Sequence, residues 1–468
     1  MDIETLKTEL NRCIGCKPRP CEKACPLGVS PHDFIALAKA EGYKESAKLI
    51  AQKNPLPQTC GLVCPDCFCQ KACIRGRMDS PIKIPCLQAK MIQLGGLPEL
   101  ELPEPNGKKV AVIGGGPAGI GATYELISNG YNVTIYEKAD KLGGVARLIP
   151  EYRLPKSVLD EEIARITEND RVIVKLNTEI TDFALLKQEY DDVILALGEP
   201  LEYKLNVVGD EACISYKDVL KNNAEDITSP VILGARRQNY NWSSSERDVS
   251  HSIPGIHKQN IEDVATSYDG NLAHPQFKTE RDNTSPSVIL EAMRQHQHIG
   301  DPQTSAPAHN HDGNLAHPHI IIVGGGEVAL DCALSLKKLH PNATVEMFVR
   351  RRREDMRIMK RDHIELDEHN IIIRDLTSIV EIKEENNLYN ITAIHNEINE
   401  EGKARAIKGS EFPLQGYTHI ITALGSYFPK DKDTNDCHCA GDMTGSCGTV
   451  VQAIASGIKS AKAIMEKE

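Results

Sequence analysis

Lys108-Lys109-Val110-Ala111-Val112-Ile113-Gly114-Gly115-Gly116-Pro117-Ala118-Gly119 is the stretch that decides the fold. The apolar run Val110 to Ile113 reads as a buried strand. It leads into G-x-G-x-x-G, and a helical pattern continues to about Asn129. Tyr131 to Tyr136 then reads as a second strand, closed by Glu137. Strand, glycine turn, helix, strand and acid in that order describe a dinucleotide-binding unit. Gly114 permits the tight turn, Gly116 lets backbone approach a pyrophosphate, and Gly119 brings the helix close to the strand. The helix N-terminus, opened by Pro117 and Ala118, favours an anion. Glu137 is placed to accept hydrogen bonds from a ribose diol, and Lys138 and Gly144 follow it as further candidates. The rival reading is a tight glycine turn that holds nothing.

The theme recurs downstream. His319 to Val323 reads as a strand and runs into Gly324-Gly325-Gly326-Glu327-Val328-Ala329, with a helix to about Leu339. The next strand, Thr344 to Val349, ends in four arginines, Arg350 to Arg353, where the first unit has an acid. Arg350 and Arg351 suit the 2′-phosphate of NADP. The alternative is a solvated basic run. Two such units suggest a flavin and a nicotinamide. The first is the expected FAD site, because the C-terminus completes it. Ala440-Gly441-Asp442 precedes a helical run from Val450, and Gly441 and Asp442 are placed for the flavin's ribityl and phosphate groups. The predicted FAD domain is therefore split into 101–234 and 411–468, with an NADPH domain at 319–410 inserted. The stretches Val193 to Gly198 and Ile420 to Gly425 both end in Ala-Leu-Gly and would return the chain between the domains.

Upstream lies a different chemistry. Of 15 cysteines, ten fall within the first 86 residues. Cys13, Cys16, Cys21 and Cys25 run C-x2-C-x4-C-x3-C before Pro26, and Cys60, Cys64, Cys67, Cys69 and Cys73 form a second group. Four soft thiolates around a cubane hold a [4Fe–4S] cluster, and the Cys-Pro ending favours that reading. A zinc site from Cys13, Cys16, Cys64 and Cys67 is the rival. Between the groups, residues 31–52 read as helical core, with Phe34, Ile35, Leu37, Ala38, Ala47, Leu49 and Ile50 as the apolar stripe. Residues 1–100 are thus expected to form a helical metal domain.

The whole chain has 468 residues, roughly three domains at about 150 residues each. It is 40 % hydrophobic and 26 % charged, which excludes a collagen-like or largely disordered chain. A net charge of −12 argues against a nucleic-acid partner. No apolar run approaches the ~18–20 residues that span a bilayer. Met1-Asp2-Ile3-Glu4-Thr5 lacks the opening of a signal peptide, so the expectation is a cytoplasmic protein without a membrane partner. Residues 235–318 break the pattern. They are rich in Ser, Asn, Gln and His, hold eight of the 16 histidines, and repeat Asp269 to Pro275 as Asp312 to Pro318. They read as an inserted, mostly disordered loop, with a histidine metal tract as rival and one short helix expected from Ser285 to His296.

Taken together, the chain resembles the FAD and iron–sulfur NADPH oxidoreductases that include dihydropyrimidine dehydrogenase and the glutamate synthase small subunit. The resemblance rests on the C-x2-C-x4-C-x3-C-P run, Asn54-Pro55-Leu56, Thr59-Cys60-Gly61-Leu62-Val63-Cys64-Pro65, Leu87-Gln88, residues 150–166, both glycine turns and the terminal Ala-Gly-Asp. It implies an α-helical iron–sulfur domain followed by two Rossmann-type α/β domains. It also implies two [4Fe–4S] clusters. Carried over by position, Cys13, Cys16, Cys21 and Cys73 would hold one, and Cys25, Cys64 and Cys69 the other, with Gln88 as fourth ligand. Cys86 and Cys67 are extra thiols, and either is an alternative to Gln88. Arg153 matches a residue that contacts FAD. The stretch between Gly425 and Gly441 is shorter than in the family.

The implied activity is electron transfer from NADPH through FAD and the clusters, which needs no general acid or base, so no catalytic side chain is assigned. The acceptor would be a catalytic partner subunit or a ferredoxin. A dihydropyrimidine dehydrogenase-like complex is the first expectation. A glutamate synthase small subunit and the large subunit of an NADPH–ferredoxin transhydrogenase share the motifs. An iron–sulfur scaffold without turnover is the rival of another class.

Overall fold

A computed structural model describes residues 1–198, 201–221, 317–429, 434, 437–445 and 448–466. The expected inserted loop at 235–318, its rival histidine tract, the helix at Ser285 to His296 and the repeat of Asp269 to Pro275 fall outside the described residues, apart from His317 and Pro318.

The first 95 residues form helices joined by loops, with no strand. The helices are α1 (Ile3–Arg12), α2 (Pro20–Lys23), α3 (Pro31–Lys39), α4 (Tyr43–Ala51), α5 (Pro57–Val63) and α6 (Ile84–Gly95). Local chemistry starts several of them. Asp2 caps α1 by accepting from Thr5 N at 2.8 Å, and Ser30 caps α3, whose first residue is proline. The expected helical stretch at 31–52 is α3 and α4. Their inward faces, Phe34, Ile35, Ala47 and Ile50, meet Leu6, Leu87 and Met91 in one core, and Cys13, Cys21, Cys25, Cys69 and Cys73 pack against it.

The first α/β unit is a parallel sheet of β1 (Lys109–Ile113), β2 (Asn132–Tyr136), β3 (Val172–Lys175), β4 (Asp192–Leu195) and, from the C-terminus, a short strand His438–Cys439. The order is C-terminal strand, β4, β1, β2, β3. The C-terminal strand pairs with β4 at Ile194 and Leu195, so this sheet takes a strand from far along the chain. Helix α7 (Pro117–Ile127) follows the glycine turn and packs on the C-terminal helix Val450–Met465. Two glycines let these helices touch. A Cβ on Gly457 would stand 1.9 Å from Ala118 O, and one on Gly121 2.6 Å from Ile454 O. Helices α8 (Lys156–Thr167) and α9 (Phe183–Glu189) complete this unit.

Two short strands, β5 (Leu201–Glu202) and Ser426–Tyr427, pair antiparallel where the chain leaves the first unit and where it returns. They follow the two Ala-Leu-Gly segments. The second unit has a parallel sheet of β6 (Ile214–Ser215), β7 (His319–Val323), β8 (Thr344–Phe348), β9 (Ile372–Arg374) and a strand His419–Thr422. Helices α10 (Tyr216–Lys221), α11 (Glu327–Leu339) and α12 (Lys360–Glu368) accompany it, beside an antiparallel sheet of β10 (Thr377–Glu385), β11 (Leu388–Ile398) and β12 (Ala404–Tyr417). Two of its strands, β6 and His419–Thr422, come from outside residues 319–410 and pair with each other at one side of the sheet.

Candidate functional site

Both glycine turns are built by steric exclusion. Gly114 has φ +106°, and a Cβ there would stand 2.3 Å from Ala196 O. One on Gly119 would stand 1.9 Å from Gly114 O, so neither position accepts a side chain. Gly116 caps α7 in extended conformation and Pro117 is its first residue, which leaves the first-turn N–H groups for an anion. Glu137 is buried; its Oε2 accepts from Gly115 N at 2.7 Å and its Oε1 from Ala139 N at 2.8 Å. The acid thus steadies the turn and keeps spare lone pairs on both oxygens. Lys138 is exposed beside it. Gly144, at φ +51°, brings its loop over the turn, with a built Cβ 2.9 Å from Gly116 Cα. Gly441 N donates to Ser456 Oγ, and a Cβ on Gly441 would stand 2.8 Å from the Ala118 side chain. Asp442 is adjacent; its Oδ1 is buried without a partner, and burial raises its pKa. An orphaned carboxylate oxygen beside an anion-binding helix start fits a ligand with both hydroxyl and phosphate groups.

The second turn repeats the first. Gly324 has φ +151°, and its Cβ would stand 2.4 Å from Ala423 O. Gly326 caps α11 with open space where its Cβ would be; Glu327 and Val328 open the helix and Ala329 is fully buried. Arg350 and Arg352 are exposed and lie outside every ion pair among the described residues, whereas Arg351 is half-buried. Arg353 is bound to Asp367 at 2.6 Å.

The resemblance implies that Arg153 contacts FAD, and the fold sets it between the two units. Its guanidinium donates to Asp331 at 2.6 Å and to Glu327 at 2.9 Å, both on α11 of the second unit. Burial raises both carboxyls, Asp331 to about 6, against the pull of Arg153.

The cysteines fall into two groups. Cys13, Cys16, Cys21 and Cys73 line one cavity with Ile35, Ile82 and Ile84. Cys25, Cys64 and Cys69 line another, with Gln88, Cys60, Asn54 and Val451. These are the two sets carried over from the resemblance, with Cys60 added. Cys86 does not line the second cavity, and Cys67 is exposed outside it. The zinc set is not brought together, since Cys13 and Cys16 share one cavity and Cys64 lines the other. Among the described residues no three Cys, His, Asp or Glu side chains converge as a single ion requires. Four thiols lining one cavity supply the donor chemistry that a cubane takes. Burial pushes the Cys21 thiol to about 11 and raises Cys25 and Cys69; a hydrogen bond with Cys60 and burial raise Cys64. Thiols of this kind ligate only where a metal draws the proton off.

One contact was missed by sequence reasoning. Glu162 of α8, 1 % exposed, accepts from Gln58 N at 2.5 Å and Thr59 N at 3.0 Å. Helix α5 begins at Leu56-Pro57, which offers no side-chain cap, so its first N–H groups need an acceptor from outside. The uncapped start was the available signal. Burial pushes the Glu162 carboxyl up to about 7. Gln88 Nε2 donates to Pro57 O at 2.7 Å, so the same turn also orients Gln88.

Comparison with known proteins follows this geometry. Residues 1–94 match the family described as dihydropyrimidine dehydrogenase domain II, 4Fe-4S cluster. Residues 112–166 match the NAD(P)-binding Rossmann-like domain. The resemblance read from the sequence is borne out. The chain is 41 % identical over 198 residues to the NAD-dependent dihydropyrimidine dehydrogenase subunit PreT of Salmonella typhimurium, covering 41 % of this chain and 48 % of the relative. It is 29 % identical over 218 residues to the glutamate synthase [NADPH] small chain of Mycobacterium tuberculosis, covering 45 % and 44 %. The chain therefore spans about half the length of the curated relatives it matches. Mycobacterium tuberculosis FprA in complex with NADPH superposes with a TM-score of 0.52 at 14 % identity, over 77 % of this chain and 84 % of that one. That likeness is one of fold. Among the described residues no helix is long and apolar enough to cross a membrane.

Proposed function

We propose that this chain is an electron-input oxidoreductase subunit, taking electrons from NADPH and passing them through FAD and two [4Fe–4S] clusters to a partner protein. The observation that carries the reading is the position of the second cysteine cavity. It abuts the first nucleotide unit through Val451 and is tied to α8 by Glu162. When bound, the flavin and clusters supply the step from two-electron to one-electron transfer.

The chain's own residues bind and orient. Gly324, Gly326 and the start of α11, with Glu327, Val328 and Ala329, would hold the pyrophosphate of NADPH, and Arg350 and Arg351 its 2′-phosphate. Gly114, Gly116, Pro117, Ala118, Gly119, Lys138 and Gly144 would hold FAD, with Glu137 accepting from its ribose and Asp442 Oδ1 from a ribityl hydroxyl. Cys13, Cys16, Cys21 and Cys73 would hold the outer cluster. Cys25, Cys64, Cys69 and Gln88 would hold the inner one. Pro57 O engages the Gln88 amide nitrogen, which leaves its carbonyl oxygen as ligand atom. Ile14, which lines the outer cavity, is 50 % exposed, so the outer cluster is the exit toward a partner. The name of the first relative supports a dihydropyrimidine dehydrogenase-like complex and NAD; the arginines support NADP.

The test is an absorbance spectrum of anaerobically purified protein before and after NADPH, with NADH as control. Bleaching of a flavin band near ~450 nm above a broad cluster shoulder is expected. Cluster absorbance without a bleachable flavin would leave the scaffold reading. Cys86→Ser and Cys67→Ser should keep full iron content, whereas Gln88→Ala should perturb the inner cluster alone.

A further inference from the structure

The loop before α8 belongs to the first unit, yet it is fastened to the second. Leu148 packs against the core of the second unit. The Lys338 ammonium sits 3.5 Å from the centre of the Tyr152 ring. Arg153 bridges Glu327 and Asp331 at 2.9 and 2.6 Å, with its side chain only 16 % exposed. Glu327, Asp331 and Lys338 lie along α11 at helical spacing, so the loop grips one side of that helix. The grip begins at the residue that opens the helix, where a dinucleotide's pyrophosphate would approach. Two carboxylates there oppose an anion, and a guanidinium between them relieves that opposition. A planar fork also fixes geometry in a way a point charge does not.

We propose that Arg153 is a positioning residue for the nicotinamide site: reaching from the flavin unit, it offsets the α11 carboxylates and sets the angle between the two nucleotide units. This rests on the electron-input reading above. The resemblance implies another role for Arg153, contact with FAD, and flavin retention separates the two.

The test compares the wild-type holoprotein with Arg153→Gln, Arg153→Lys, Asp331→Asn and the Arg153→Gln/Asp331→Asn double variant. Rapid mixing with NADPH under anaerobic conditions reads nucleotide affinity and limiting rate of flavin reduction separately. Arg153→Gln and Asp331→Asn should keep their flavin and both slow reduction, Arg153→Gln by about 100-fold, since misplacement of about 1 Å costs that much. The double variant should be no slower than Arg153→Gln, because both changes break one pair. Lysine should recover part of the rate, restoring charge without the fork. Hydrogen exchange at residues 152–156 and 327–331 should rise in Arg153→Gln and in Asp331→Asn, whether or not cofactor is bound. Loss of flavin in Arg153→Gln but not in Asp331→Asn would overturn the proposal, as would unchanged reduction and exchange. A wild-type protein that binds no flavin would instead sink the electron-input reading, and the exchange data would still decide whether the grip exists.

Discussion

Gly114 lies against Ala196 O and Gly324 against Ala423 O, and an added Cβ would stand 2.3 and 2.4 Å from those oxygens. The two units thus make one backbone turn twice. Around it nearly everything else differs. The first unit ends its second strand in a buried acid, Glu137; the second ends in exposed Arg350. The first helix begins with Pro117 and the second with Glu327. The first site is completed by Asp442 from the chain's end, and the second is gripped by Arg153 from the first unit. In the proposed function the turn makes a dinucleotide site, and the charges at its rim select which dinucleotide.

The sharpest way to break this comparison is to fill one turn. Gly119→Val should abolish flavin binding and leave the clusters in place, because no room exists beside Gly114 O. The matching position in the second unit already carries a methyl group, so Ala329→Gly should cost only about 1 kcal/mol of helix stability. Flavin and iron analysis of both variants decides the matter.

The units should also answer pH in opposite senses. In the second unit Glu346 is 3 % exposed. Against the pull of burial, hydrogen bonds from His319 and Arg374 hold it at about 2. Its folded value lies below the ordinary 4.5, so its contribution is present above 4.5 and is lost as pH falls toward 2. Glu162 lies above the ordinary value, at about 7. Its contribution is complete below 4.5 and is lost as pH rises to 7. Each amounts to roughly 3 kcal/mol. Hydrogen exchange against pH should show the second unit loosening in acid and α5 loosening toward neutrality. Glu162→Gln should remove the second effect.

A smaller effect is expected at the rim. Arg350→Ala should weaken NADPH by about tenfold, the loss of one charge-assisted bond, and leave NADH unchanged. Equal weakening of both would make Arg350 a mere solvated cation. Smaller still, Asp442→Asn should lower flavin affinity only a few-fold, since the amide keeps an acceptor oxygen.

Local pattern made much of this legible. Both turns, the α3 and α4 stripe and the split of the first unit follow from short-range periodicity and glycine spacing. The two cysteine sets came from the resemblance; spacing alone left zinc open. What stayed hidden depends on contacts between residues far apart in the chain. Glu162 reads as one surface acid among several until α5 is seen to lack a cap. Arg153 carries no local sign that its partners lie at positions 327 and 331. Gly121 and Gly457 look like weak points in two helices until the helices are seen to cross there.

In the proposed function, electrons entering at the second unit reach the cysteine-held clusters by way of the first. Low-temperature electron paramagnetic resonance of the anaerobic protein, frozen after adding NADPH, tests it most directly. Signals of reduced [4Fe–4S] clusters are expected with NADPH in the wild type, and in Gly119→Val only with dithionite. Clusters that dithionite reduces but NADPH never does, in a wild-type protein carrying flavin, would contradict it.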